Sequence, residues 1–104
     1  MNSYNKYTDL QINELVATRL KKKCLLTEES VLAYMDSGYR TFAPCNNPTD
    51  AMPIIIENEI SMIKSSGGWM CCHGSVGQVE RESLYRGAME LFLMMKDAER
   101  ETNT

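Results

Sequence analysis

The chain has 104 residues, 43% of them hydrophobic and 24% charged: enough for one domain, with the balance of an ordinary globular protein and no compositional mark of disorder. Eleven Lys and Arg against fourteen Asp and Glu give a net charge of -3 and a pI near 5.1, so nucleic acid is disfavoured as a partner. The longest wholly apolar runs, such as Leu91 to Met95, fall far short of the about 20 residues that span a bilayer. The polar opening Met1-Asn2-Ser3-Tyr4-Asn5-Lys6 lacks the apolar centre of a signal peptide, and a cytoplasmic protein with no membrane partner is expected.

In chain order, the first signal is a helix start. Thr8 and Gln11 have capping-box spacing, with Tyr7 before the cap and Ile12 four residues after it as a hydrophobic staple. Ile12, Leu15, Val16 and Leu20 then recur at three- and four-residue steps, which predicts a helix from about Asp9 to Lys22. The cluster Arg19, Lys21, Lys22, Lys23 complements the negative end of that helix, and it is the one basic patch that offers a nucleic-acid alternative. Residues 27–36 carry competing signals: Thr27-Glu28-Glu29-Ser30 can open a short helix, while Ser30 to Met35 can form a strand ending in the turn-prone Asp36-Ser37-Gly38. The strand is the favoured reading, and Tyr39 to Asn46 reads as irregular connection.

A second helix begins at Asn46-Asn47-Pro48-Thr49-Asp50. Asn47 suits the cap, Pro48 the first helical position, and Asp50 can reach back towards the cap. Ala51, Ile54 and Ile55 give it an apolar face, Pro53 should bend or loosen its first turn, and Glu57-Asn58 ends it. A hairpin follows, with Ile60 to Ile63 as one strand, Ser65-Ser66-Gly67-Gly68 as the turn and Trp69 to His73 as the return. Val76-Gly77-Gln78-Val79 is too short to classify. The last helix is expected from about Glu82 to Ala98, with Leu84, Ala88, Leu91 and Met95 as one stripe and Tyr85, Met89 and Phe92 as its neighbour. Leu93 and Met94 make it apolar nearly all round, so it is either central in the core or shared with a second subunit. Asp97, Glu99 and Glu101 oppose the helix dipole, and a frayed tail over about 97–104 is expected.

The segment from Cys45 to Ser61, Cys45-Asn46-Asn47-Pro48-Thr49-Asp50-Ala51-Met52-Pro53-Ile54-Ile55-Ile56-Glu57-Asn58-Glu59-Ile60-Ser61, resembles the central signature of the NinX-like family of small tailed-phage and prophage proteins, whose function is unassigned. Tyr7 to Asn13 resembles the family's first helix and Leu84 to Met95 its closing helix; Cys24 to Phe42 is poorly covered. Met52 stands where the family often has tryptophan, and Arg86-Gly87 replaces a typical arginine-alanine pair. The resemblance implies a phage setting in a bacterial host's cytoplasm, a single domain over 1–104 and, by fold-level analogy, helices sandwiching a small antiparallel sheet. It implies no mechanism.

Reactive residue types are few. Cys24, Cys45, Cys71, Cys72 and His73 include enough ligands for zinc, but structural zinc sites place paired cysteines two to four residues apart, and adjacent Cys71 and Cys72 on a strand point to opposite faces. A thiol enzyme would pair Cys45 or Cys72 with His73, and whether these three converge is open in the sequence. Asp50, Glu57 and Glu59 are better explained as a cap and a solvated face than as an acid/base couple. Ser65 to Gly68 lacks the lysine of a phosphate loop and leads into a strand. Half of the eight methionines, Met52, Met89, Met94 and Met95, lie in or beside apolar helices, where core packing explains them before an adaptable binding surface does.

The reading is therefore an α+β fold, three helices on a small antiparallel sheet in an α/β/α arrangement. Its core is Ile12, Leu15, Val16, Leu20, Ala51, Ile54, Ile55, Ile60, Trp69, Leu84, Ala88, Leu91, Phe92 and Met95. The expected function is that of a phage accessory protein, not an enzyme, with no catalytic, metal or cofactor residues and no cofactor. It acts through contact with a phage or host protein, with a homodimer through the last helix as the simplest form. The alternatives are a metal or thiol site on Cys45, Cys72 and His73, and weak nucleic-acid binding through Arg19 to Lys23.

Overall fold

In the computed structural model, which describes residues 4–102, Thr8 opens the first helix as its spacing predicts. Its Oγ1 accepts from the Gln11 N–H at 3.1 Å while Gln11 Oε1 accepts from the Thr8 N–H at 2.8 Å, closing the capping box of α1 (Asp9–Arg19). The helix ends three residues before the expected Lys22. Lys21 takes a left-handed conformation (φ 58°), so that its N–H donates to Thr18 O at 3.0 Å and the Lys22 N–H to Ala17 O at 3.1 Å. This is a Schellman termination with lysine at the position usually held by glycine.

Three strands follow: β1 (Cys24–Leu26), β2 (Val31–Met35) and β3 (Gly38–Thr41), antiparallel in the order β1-β2-β3. The strand alternative for residues 27–36 is the one formed, and Thr27 to Ser30 is a turn in which Thr27 Oγ1 accepts from the Glu29 and Ser30 N–H groups. The expected turn forms at Asp36 and Ser37, both with positive φ (52° and 75°), but the irregular connection expected over Tyr39 to Asn46 is corrected in its first part, because this mirrored two-residue turn returns the chain directly into β3 as far as Thr41.

In α2 (Pro48–Glu57), Asn47 Oδ1 accepts from the Thr49 N–H at 2.9 Å, and Pro48 takes the first position. The Asp50 carboxylate reaches beyond the cap to the Ala43 N–H at 2.9 Å, and Pro53 is held inside the helix. A second Schellman termination has Glu59 left-handed (φ 55°) and the Ile60 N–H donating to Ile55 O, with both isoleucines buried as its apolar clasp. The expected hairpin forms from β4 (Ser61–Ser65) and β5 (Gly68–His73), and the unclassified segment becomes β6 (Gly77–Arg81), paired to β5. The α+β reading with three helices holds, but two separate three-stranded sheets replace the single sheet expected. Gly68 fixes how the second sheet closes, since a Cβ there would lie 2.4 Å from the Arg81 carbonyl oxygen.

The last helix, α3 (Leu84–Thr102), packs against α1, α2, β5 and β6 and is the centre of the core. Ala88, Met89, Leu91, Phe92 and Leu93 are all fully buried within the chain, which places α3 in the first of its two expected roles. The helix does not stop near Ala98. Asp97 is anchored by Arg19 Nη2 at 2.5 Å and by the Tyr4 hydroxyl, Lys96 pairs with Glu99 at 3.3 Å, and the helix continues to Thr102; residues 103–104 lie outside the described residues. Of the expected core, Leu15, Leu20, Trp69 and Leu84 are only half-buried and the others are buried. The Lys21 conformation is costly for a side chain with a Cβ. Lys21→Gly is expected to stabilise the protein by about 1 kcal/mol in urea unfolding; an unchanged or lowered midpoint would contradict the strain assigned to this turn.

Candidate functional site

An open cleft of about 740 Å³ lies where the N-terminal turn (Asn5, Tyr7), the β4–β5 turn (Ser66, Gly67), the end of β6 and the start of α3 meet. Its floor is Glu90, which has no exposure although it is charged and sits between Met89 and Leu91 on the apolar helix. Arg81 grips it from β6, Nη2 to Oε1 at 2.9 Å and Nε to Oε2 at 3.0 Å. Arg86, one helical turn before Glu90, donates Nε to the same Oε2 at 2.6 Å. Arg86 also donates to Asp9 Oδ1 at 2.8 Å and to the Tyr4 carbonyl at 2.9 Å, while Arg81 Nη1 donates to the Glu80 carbonyl at 2.7 Å.

Every nitrogen of both guanidinium groups is thus engaged within the chain, and Glu80 and Glu82 also line the cleft. That is the chemistry of a structural ion cluster: both Glu90 oxygens are occupied by guanidinium donors, which leaves the carboxylate badly placed to move a proton. Residue-by-residue reading missed the cluster, although Arg86 and Glu90 at i,i+4 and a glutamate inside an otherwise apolar helix face are visible signals for it.

The sequence candidates lie apart from this cleft and from one another. Cys45 is buried before α2, where its N–H donates to Asn13 Oδ1 at 2.9 Å; burial, reinforced by the Asp9 charge, pushes its thiol up to about 12. Cys71 is buried on the helix side of β5, and burial pushes it up to about 11. Cys72, the next residue on the strand, and Cys24 are half-buried, and all four thiols are free. His73 ends β5 in a local turn, with Nδ1 2.8 Å from Ser75 Oγ and accepting the Ser75 N–H. Among the described residues no three His, Cys, Asp or Glu side chains are placed to hold a metal ion. Asp50 is the helix cap partner described above, and Glu57 and Glu59 are exposed at the end of α2. Ser65 to Gly68 is the hairpin turn. Met89 and Met95 are core, with Met52 and Met94 packed against it. In the basic cluster Arg19 is committed to Asp97, whereas Lys22 and Lys23 lie over the rings of Phe42 and Tyr34 at 5.3 and 5.5 Å.

The exposed apolar surface concentrates on the first sheet. Alternation puts Val31 and Ala33 inward and Lys23, Leu25, Leu32, Tyr34, Tyr39 and Thr41 on the outer face, where Leu25 is 50%, Tyr34 48% and Tyr39 38% exposed. The two tyrosines stand opposite each other, edge to face, with centroids 5.3 Å apart. Leu26, on the other face but at the sheet's edge, is 55% exposed. No helix of the described chain is long and apolar enough to cross a membrane. Neither protein-family models nor curated proteins give a match to this chain.

Two outcomes follow from these burials. Removing one partner of the buried cluster leaves the others uncompensated, so Glu90→Gln is expected to destabilise the fold by about 3–5 kcal/mol, read from urea unfolding. Above pH 9 the stability should fall. Unfolded thiols ionise near 9.0 and the phenol near 10.0, whereas the fold holds Cys45 and Tyr4 to about 12 and Cys71 to about 11, Tyr4 by burial first and then by its bond to Asp97. Stability from these groups is complete below the unfolded values and is lost as pH rises towards the folded ones, at about 1.4 kcal/mol per pH unit for each group. Urea titrations from pH 8 to 11 should show this slope, shallower in Cys45→Ala.

Proposed function

We propose that this protein is a non-enzymatic accessory factor that works by protein–protein contact, and that the outer face of the first sheet is its contact surface. The observation that carries the reading is the concentration of exposed Leu25, Tyr34 and Tyr39 on one sheet face, around an aromatic pair and a lysine. Tyrosine offers large contact area with few rotors to immobilise, which suits it to recognition surfaces. The reactive side chains support the same reading from the other direction: two thiols are shielded, the imidazole is bound into its own turn and the buried carboxylate is held by two arginines. Residues 87–93 of α3 are buried within the chain, which favours a contact through the first sheet over one through the last helix.

The resemblance to NinX-like proteins gives this reading its setting: a phage or prophage product in the cytoplasm of a bacterial host, meeting a phage or host protein. A photo-crosslinking residue placed at Tyr39 in cells of an infected host should give one dominant protein adduct that is lost with Tyr34→Ala, while the same probe at exposed Thr18 on α1 gives none. Equal adducts from both positions, or none from either, would refute the assignment of this face.

A further inference from the structure

We infer that β1 is a self-pairing edge, through which a second copy of this chain adds antiparallel and joins two three-stranded sheets into one. This deepens the reading of the first sheet as a contact surface and rests on it. The backbone supplies the first observation. β1 is an edge strand, and in its ladder with β2 the Tyr34 N–H donates to Lys23 O and the Thr27 N–H to Ser30 O, so residues 23, 25 and 27 turn their peptide groups towards β2. Cys24 and Leu26 therefore turn theirs to the open side.

The side chains supply the second. Leu25 and Leu26 are the most exposed leucines of the chain, at 50% and 55%, and they lie on opposite faces of the strand. A partner resting on the outer face would cover Leu25 and leave Leu26 wet; a strand added at the edge covers both.

Charge identifies the occupant as another copy. The run Lys21-Lys22-Lys23-Cys24-Leu25-Leu26-Thr27-Glu28-Glu29 is basic at one end, acidic at the other and apolar at its middle. Neither the three lysines nor the two glutamates take part in an ion pair among the described residues. A two-fold axis perpendicular to the sheet keeps like faces together and allows registers only in steps of two residues. With Leu25 on the axis, Cys24 stands opposite Leu26 of the second copy and the two exchange N–H···O bonds. In the same register the lysine run that leads into β1 is brought towards the turn of the second copy that carries Glu28 and Glu29, at both ends. A step either way sets Lys22 opposite Leu26, or Cys24 opposite Glu28, and loses the match. The edge is short, so the dimer is a weak and transient one.

Sedimentation equilibrium of the full chain at millimolar concentration tests this. A monomer–dimer equilibrium is expected, and reversing charge at one end (Glu28→Lys with Glu29→Lys, or Lys21→Glu with Lys22→Glu) should raise its Kd at least about tenfold, since like charges then oppose each other at both ends. Mixing the two double variants should restore association, because each presents the complement of the other. In a Cys24→Ser, Cys72→Ser background, Leu25→Cys should oxidise to a symmetric intermolecular disulfide while Tyr39→Cys, on the opposite strand, does not. Unchanged far-UV spectra confirm that the exposed variants fold. A strict monomer, a dimer indifferent to both charge reversals, or one that the mixture does not restore would overturn the inference. A strict monomer whose Tyr39 probe still captures another protein fails here alone; loss of that adduct fails the functional reading.

Discussion

The fold is organised by one carboxylate. Glu90 has no contact with solvent, and removing such a charge from water costs several kcal/mol unless opposite charges and hydrogen bonds meet it in good geometry. Arg81 and Arg86 meet it, and each brings a remote part of the chain: Arg81 fixes the end of β6, and Arg86 ties in Asp9 at the start of α1 and the Tyr4 carbonyl of the N-terminal turn. Burying Glu90 therefore brings the second sheet and α3 together, and Arg86 carries the link on to α1 and the N-terminal turn. A compact state without the second sheet loses the two Arg81 bonds to the buried carboxylate, and one without the N-terminal turn loses partners of Arg86, which separates the native arrangement from its competitors. At the far end of α3 a smaller version recurs, where Asp97 joins Arg19 and Tyr4, so the N-terminal turn is held to both ends of the central helix.

This central helix divides the molecule's chemistry. What packs against it is hidden: Cys71 of β5 lies so close that a Cβ on Gly87 would be 3.2 Å from its sulfur, and Cys45 is sealed at the contact between α1 and the loop before α2. The first sheet touches the core chiefly through β2, with Val31 and Ala33 buried, and its outer face and both edges extend beyond it. Buried thiols and an engaged carboxylate contribute to stability, while exposed side chains on a peripheral sheet are available to partners. The acidic total charge does not describe that sheet, because Lys21 to Lys23 lie at one end of β1 and Glu28 and Glu29 at the other.

The legible parts of the sequence were those written in local chemistry. Thr8 with Gln11, and Asn47 with Pro48, name their helix starts because a side chain and a backbone N–H a few residues apart settle the geometry. Helix ends were less legible: Lys21 and Glu59 adopt left-handed conformations for which glycine is the usual marker, so neither termination announces itself. The Asp36-Ser37 turn is similar, lacking the Asn-Gly or Asp-Gly pair that would have exposed β3. β1 and β6 were missed for a different reason. Three and five residues long, they exist because β2 and β5 offer them ladders, and that is tertiary information. The division into two sheets follows from the same pairings. Glu90 was present as an anomaly in an apolar helix, but its nearest covalent clue, Arg86, identifies only one of its partners.

The second sheet provides the control for the first. Its edge strands, β4 and β6, also leave one side of the ladder open, and Ile63 on β4 is 50% exposed. Yet β4 carries one charge, Lys64, whose ammonium bonds the Ser65 and Gly68 carbonyls of its own hairpin and lies 5.8 Å from the Trp69 ring centre. β6 alternates its charges as Glu80-Arg81, and Arg81 is drawn into the Glu90 cluster. A lysine folded back over its own hairpin blunts an edge, the usual defence against unwanted pairing. On β1 the charges lie beyond the ends of the strand and leave Leu25 and Leu26 at the edge itself. The same fold thus contains one hairpin edge guarded by its own lysine and another whose opposite charges are arranged to select an antiparallel copy of themselves.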